Sequence, residues 1–390
     1  MSLQAAFPAV APEPAAGLAL AVCHAPEMLS RRGLVLALLA ARGSGPALAA
    51  DLAAKAPAWA FPRDFGAHPE TAIEWWYVTG ALEAAARTWG FQITFFRAAT
   101  GIAGAEASAF RAVQLVFAHA AVTDLHNARL LHDQRIARSG FGVAAASNAD
   151  TALVLRDWRL ERTSSAEGRS RYRARAVSET ADFRFELELA ATQPMLLQGT
   201  QGVSQKGPDA SHFSRYYSEP QLAVRGTLVL GRTAPVAVAG RAWLDHEWSD
   251  ALLAPGAVGW DWVGMNLDDG AALTAFRLRR ADGTPLWAGG SHRAAPGSPV
   301  RDFAASEVAF AAGRRWTSPA SKAVYPVEWT ITTPAGVFAV RAMQDDQELD
   351  SRASTGSIYW EGLSQLFDSA GRKVGRGYLE MTGYAGRLRL

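Results

Sequence analysis

The sequence predicts an all-β fold, a sandwich or barrel of short antiparallel strands. Apolar and polar residues alternate with period two in Phe91–Phe95, Phe183–Leu189 and Val337–Val340, the mark of a strand with one dry face and one wet face. Turn signals separate such runs: Asp269-Gly270, Asp282-Gly283, Pro334-Ala335-Gly336 and Ala370-Gly371. Helical periodicity is scarce after residue 61, and many short strands at hairpin spacing mean a sandwich or a barrel.

A chain of 390 residues exceeds what one core usually supports, so two domains are expected. The boundary is placed near residue 250, giving residues 61–248 and 249–390. A faint echo links Glu74-Trp75-Trp76-Tyr77 to Tyr359-Trp360-Glu361-Gly362 and Glu380-Met381-Thr382-Gly383-Tyr384. Gln198 to Gly207 reads as a long loop at a rim or lid.

Residues 1–50 read as a leader and signal peptide. Arg31-Arg32 is followed by the apolar stretch Gly33–Ala41 and by the small–x–small pattern Ala47-Leu48-Ala49, the order of a twin-arginine or general secretory signal. Met28 stands as an alternative start. The apolar stretch is shorter than the ~20 residues of a spanning helix. No later segment is apolar enough to span, so a periplasmic or secreted mature chain without a transmembrane segment is expected.

The net charge is +2, and Lys and Arg are scattered, which argues against a nucleic-acid partner. The single cysteine, Cys23, excludes an internal disulfide and a cysteine metal site. The eight His are dispersed, with no pair at zinc spacing, so no metal is expected. Neither a nucleophile elbow nor a phosphate-binding glycine loop is present. The thirteen Trp suit either a pocket for an apolar ligand or the filling of wide barrel cores.

Four clusters carry candidate chemistry. In the first, His68-Pro69-Glu70 precedes Glu74-Trp75-Trp76-Tyr77; on a strand Glu74 and Trp76 share one face, Trp75 and Tyr77 the other. In the second, Trp243-Leu244-Asp245-His246-Glu247-Trp248, strand parity sends His246 and Trp248 one way and Asp245 and Glu247 the other. A carboxyl beside an indole has its pKa raised by desolvation; a hydrogen-bonded structural histidine is the other reading of His246. The third is Trp260-Asp261-Trp262. The fourth is a polar row, Tyr378, Glu380, Thr382 and Tyr384, on one face of the last strand, lining a pocket or facing solvent.

These residues resemble a known family. Asp64-Phe65-Gly66-Ala67-His68-Pro69 with Glu74 to Gly80, Tyr216-Tyr217-Ser218, Trp243 to Trp248, Trp260-Asp261-Trp262, Tyr359-Trp360-Glu361-Gly362 and Gly377 to Tyr384 are similar to motifs of the carotenoid 1,2-hydratase (hydroxyneurosporene synthase) family, in its secreted, hydrolase-like branch. The resemblance runs from about residue 61 to the end. It implies two consecutive lipocalin-like antiparallel β-barrel domains behind an N-terminal signal segment, with a pocket at or near their junction. Fungal Diels–Alder cyclases share the scaffold, so the scaffold alone fixes no reaction. In the hydratases a His-x-Trp pair acts with a downstream Tyr and Asp. His246 and Trp248 match the pair, whereas the strand Ala271–Arg277 carries neither Tyr nor Asp.

What the resemblance implies for function is an exported protein that binds an apolar, isoprenoid or lipid-like molecule and adds water to it, or hydrolyses it, without a cofactor. The implied acids are Asp245 or Glu247, or Asp261, with His246 activating water beside Trp248. Glu74, Trp76, Tyr77, Tyr217, Trp243, Trp260, Trp262, Glu361, Tyr378 and Glu380 are the expected pocket residues. Indole faces stabilise a developing cation. The alternatives are a non-catalytic periplasmic carrier serving transporter components and a cyclase.

Overall fold

The computed structural model describes residues 56–102 and 111–388. The expected leader and signal peptide lie outside these residues. Among them there is no α-helix, only two 3-10 turns, at Arg63–Phe65 and Ala305–Glu307, and a succession of strands.

The first sheet is built from β1 (Ile73–Ala84), β2 (Arg87–Ala99), β3 (Gln114–Asp124), β4 (Arg129–Arg138), β5 (Ala144–Ala146), β6 (Ala152–Leu155), β7 (Trp158–Ser164), β8 (Ser170–Ser178), β9 (Phe183–Ala190), β10 (Leu196–Leu197), β11 (Val203–Gln205), β12 (Phe213–Leu230) and β13 (Val236–Ser249). Its order is β4-β3-β2-β1-β13-β12-β9-β8-β7-β6-β5. β3 and β4 return against β5 and β6, so the sheet nearly closes into a barrel. The second sheet follows, from β14 (Gly259–Leu267), β15 (Ala272–Arg279), β16 (Pro285–Arg293), β17 (Val300–Phe303) and β18 (Ala309–Ala312). After the small pair β19 (Arg315–Thr317) and β20 (Val324–Pro326) it continues with β21 (Glu328–Thr333), β22 (Gly336–Ala342), β23 (Glu348–Ser351), β24 (Ser357–Phe367) and β25 (Lys373–Met381). Pairing is antiparallel in both sheets. The fold is thus all-β, two lipocalin-like antiparallel sheets in succession.

The predicted turns are hairpins. Asp269-Gly270 joins β14 to β15, and Asp282-Gly283 joins β15 to β16, where Gly283 takes φ 83°, a conformation a side chain would strain. The loop expected over Gln198–Gly207 contains β11, which pairs with β12 and places Lys206 at its end.

Each sheet has its own apolar interior. That of the first includes Trp76, Phe91, Phe95, Trp158, Phe185 and Trp248; that of the second includes Met265, Tyr325, Trp329 and Trp360. A third cluster lies between the sheets and includes Tyr77, Trp243, Trp262, Phe276, Leu363 and Tyr378. Strands β1, β13 and β14 are therefore covered on both faces, which explains their nearly unbroken burial. Polar contacts fasten the junction. Pro220 cannot donate to the ladder, and β12 bulges between Glu219 and Leu222. The bulge turns Gln221 outward at φ 57°, where its backbone N–H donates to Asn266 Oδ1 (2.7 Å) and its side-chain amide donates to Leu267 O (2.9 Å) and Ala271 O (2.7 Å).

Candidate functional site

Register determines which side chains meet at the junction. On the outward face of the first sheet one row runs Phe96, Trp75, Glu247, Tyr216 across four strands, and the next runs Thr94, Tyr77, Asp245, Ser218. On the facing side of the second sheet the row is Phe276, Trp262, Glu380, Glu361. Between them lies an open cavity lined by these rings and carboxyls together with Trp260, Tyr359, His119 and Lys206. Trp75, Phe96, Trp260 and Glu380 are only half-buried because they face it. Trp262 Nε1 donates to Tyr216 OH across the gap (3.2 Å), and His119 Nδ1 pairs with Tyr359 OH (2.9 Å).

The cavity's four carboxyls live in different surroundings. Glu247 is paired with Lys206 Nζ at 2.8 Å and accepts from Ser214 Oγ at 2.5 Å. Asp245 Oδ1 accepts from Ser218 Oγ (2.5 Å) and Trp243 Nε1 (2.7 Å); burial outweighs these donors and pushes its pKa up to about 7. Glu380 is also raised to about 7, by burial first and then by the charges of Asp245 and Glu247. Glu361 is 3% exposed and pushed well above the carboxylate range by burial and by its cross-strand neighbour Glu380. The Tyr77 and Tyr359 hydroxyls lie near it without hydrogen-bond geometry, and both Glu361 oxygens are unpartnered. Such a pair keeps a proton at neutral pH because two adjacent carboxyls, one of them buried, resist ionising together.

Trp262 owes its position to Gly264. A Cβ there would fall 2.3 Å from the Trp262 ring and 3.2 Å from that of Trp243. Gly264→Ala is expected to cost about 1–3 kcal/mol by overpacking and to displace the cavity wall; a lowered urea midpoint with unchanged slope checks it.

A second constellation occupies the inside of the first barrel. Glu74 Oε1 accepts from His68 Nδ1 (2.7 Å) and His246 Nε2 (2.8 Å); Oε2 accepts from Arg97 Nε (2.9 Å) and from the backbone N–H of His68 (2.8 Å). Tyr217 OH meets His246 Nδ1 at 3.1 Å, and Asp64 Oδ1 lies 3.3 Å from His68 Nε2. Trp248 stacks on His68 and Trp76 on His246, with centroids 3.7 and 4.4 Å apart. Burial alone would raise the Glu74 carboxyl, but the two histidine hydrogen bonds bring it down to about 2. Burial lowers His246 to about 4. His68, Glu74 and His246 offer donor atoms within 4.8 Å of one another, a grouping invisible in the dispersed sequence spacing. The set is of the right chemistry for zinc, yet each donor is engaged at hydrogen-bond distance and Arg97 already neutralises the carboxylate. It fits a closed network better than an ion.

The expected residues therefore divide. Tyr77, Asp245, Glu247, Trp260, Trp262, Glu361 and Glu380 line the junction cavity. Trp243 and Tyr378 stand behind it in the junction cluster. Glu74, Trp76, Tyr217, His246 and Trp248 face the interior of the first barrel, since neighbouring residues of a strand point opposite ways. Asp261 faces away from the cavity, paired with Arg277 Nε (2.7 Å) and Arg279 Nε (3.1 Å) and accepting from Tyr384 OH (2.8 Å). The polar row of the last strand accordingly breaks at Tyr384: β25 ends at Met381, and Gly383 at φ 75° turns the chain toward the other face. Phe96, His119, Lys206 and Phe276 were not among the expected residues. Parity with Trp75 marks none of them, because long-range register brings them in.

Fold and site together define a lipocalin-like protein with an aromatic, carboxyl-lined cavity between two sheets. The chain belongs to the AttH-like family, whose model matches residues 52–384. It is 44% identical to a Nitrosomonas europaea protein described as an AttH candidate, whose crystal structure superposes with TM-score 0.75 over 84% of this chain and 98% of that one. Kievitone hydratase from Nectria haematococca shares the fold at 14% identity and TM-score 0.62, over 85% and 94% of the two chains. CghA in complex with Sch210972 shares it at 11% identity and TM-score 0.51, over 82% and 90%. No curated protein matches the chain.

Proposed function

We propose that the junction cavity binds an apolar, isoprenoid- or lipid-like molecule and adds water across one of its double bonds without a cofactor. The observation that carries this reading is the Glu361–Glu380 pair, buried and unpartnered at Glu361 and walled by Trp260, Trp262 and Tyr77. The pair supplies a carboxylic acid that stays protonated near neutrality, as general-acid chemistry needs. Its proton goes to an alkene carbon, the π electrons form the new C–H bond, and the adjacent carbon becomes cationic. The indole and phenol rings face that charge. Water attacks the cation and loses a proton to Asp245, which Ser218 and Trp243 hold in place; return of that proton to the pair closes the cycle with one water added. His246 and Trp248 hold β13 from its other face and do not touch the substrate. The shared fold of kievitone hydratase, a hydratase by name, and the resemblance to carotenoid 1,2-hydratases support the reading.

The test is incubation of the purified chain with acyclic carotenoids and shorter isoprenoids in ¹⁸O-water, followed by mass spectrometry. A product carrying one labelled oxygen is expected. Substrate that co-elutes with the protein unchanged would instead establish a binding protein. We also propose export on the strength of Arg31-Arg32 and the apolar stretch behind it. Replacing both with Lys is expected to leave the full-length chain in the cytoplasmic fraction if the twin-arginine route is used.

A further inference from the structure

We propose that the junction cavity is built to hold a lipophilic organic cation, an ammonium with apolar or aromatic arms whose charge rests against Glu361 and Glu380. The inference rests on the same cavity as the hydratase reading, but not on its reaction.

The protein itself displays the pattern in one half of the cavity. Lys206 Nζ pairs with Glu247 at 2.8 Å and lies over the Tyr216 and Phe276 rings, 4.9 and 4.5 Å from their centroids. A carboxylate there is satisfied by an ammonium enclosed by ring faces. The other half has the same parts, two carboxyls with Trp260, Trp262, Tyr77 and Tyr359. What it lacks among the described residues is a cation. The groups that act on the pair are Tyr77 from β1, Asp245 and Glu247 from β13, and Tyr359 from β24, with Trp260 from β14 as a neutral donor. Tyr378 of β25 stands behind Glu361. None is positive, and the positive charge of Lys206 is already committed to Glu247. Both Glu361 oxygens are buried without a hydrogen bond, a costly state that a ligand bearing positive charge would relieve. Without one the pair holds a proton, so an ammonium entering the cavity displaces it.

Proton displacement gives a signature that neutral ligands lack. Benzyltrimethylammonium is the probe, and neopentylbenzene, with carbon in place of nitrogen, is its neutral isostere. Both are titrated into the full chain by calorimetry and tryptophan fluorescence at pH 6, 7 and 8. One displaced proton makes the ammonium bind about tenfold more tightly at pH 7 than at pH 6. At pH 8 it is expected to bind at least about tenfold more tightly than neopentylbenzene, whose affinity does not rise with pH. The Glu361→Gln/Glu380→Gln double variant is expected to lose both the preference and the pH dependence while still binding neopentylbenzene, which shows the cavity intact. Equal affinity for the two probes at pH 8 in the wild-type chain would overturn the proposal whether or not the variant folds. So would an unchanged ammonium affinity in a variant that still binds neopentylbenzene. Ammonium binding without labelled-water incorporation leaves this inference standing and removes the hydratase reading; incorporation without ammonium preference does the reverse.

Discussion

Glu361→Gln combined with Glu380→Gln is expected to lower the rate of water addition by roughly 10²–10⁴-fold, the usual worth of a general acid, with the thermal transition preserved. An amide keeps the size of each side chain and removes the transferable proton. The two single variants separate the partners. Removing Glu380 takes away the like-charge neighbour that helps to hold Glu361 protonated. The alkaline limb of the pH–rate profile should then move to lower pH in Glu380→Gln, although burial still keeps Glu361 above an ordinary carboxyl. In the wild-type chain activity should fall as pH rises past about 7, where the acid Glu380 ionises, and also as pH falls below about 7, where the base Asp245 takes up a proton. A flat profile from pH 5 to 9 would remove the carboxyl pair from the mechanism.

The all-β architecture was legible because each hairpin advertises itself locally, by alternation along Phe183–Leu189 and by a turn such as Asp282-Gly283. The site was legible only to within a face. Parity correctly separated Asp245 and Glu247 from His246 and Trp248, and Trp75 and Tyr77 from Glu74 and Trp76. It could not say which face looked at the cavity, because both faces of β1 and β13 are buried and both carry Trp beside ionisable groups. That choice depends on how the second sheet packs, and nothing in the local pattern of β1 or β13 encodes it. The same limit hid the convergence of His68, Arg97 and His246 on Glu74: the histidine hydrogen bonds span 6 and 172 residues. For Trp260-Asp261-Trp262, parity puts the acid on the face opposite its two indoles, and so it stands: the indoles point to the cavity and Asp261 points to Arg277 and Arg279, away from the place an acid would act. Lys206 gave no signal at all, since a lone Lys in a polar segment looks solvated until its strand is paired.

Glu74→Gln is expected to cost about 3–5 kcal/mol in urea unfolding, because it leaves buried Arg97 without its carboxylate. The amide keeps one oxygen, so either the two histidines or Arg97 and the His68 backbone N–H face an NH2 group in place of an acceptor. The pH dependence distinguishes this network from the cavity on the other face of the same strands. The Glu74 carboxyl falls from 4.5 to about 2 on folding. Its contribution is therefore present above 4.5 and is lost as pH drops toward 2. His246 falls from 6.5 to about 4, so the unfolded chain binds its proton more tightly and stability declines as pH drops from 6.5 to 4. Asp245 and Glu380 run the other way. Raised from 3.8 and 4.5 to about 7, they contribute fully below the unfolded values and lose that contribution as pH climbs toward 7. Glu74→Gln should then flatten the stability curve below pH 4.5, whereas the Glu361→Gln/Glu380→Gln variant should flatten it between 4.5 and 7. If both variants changed the same limb, the two constellations would be one coupled site and their assignment to separate faces of β1 and β13 would fail.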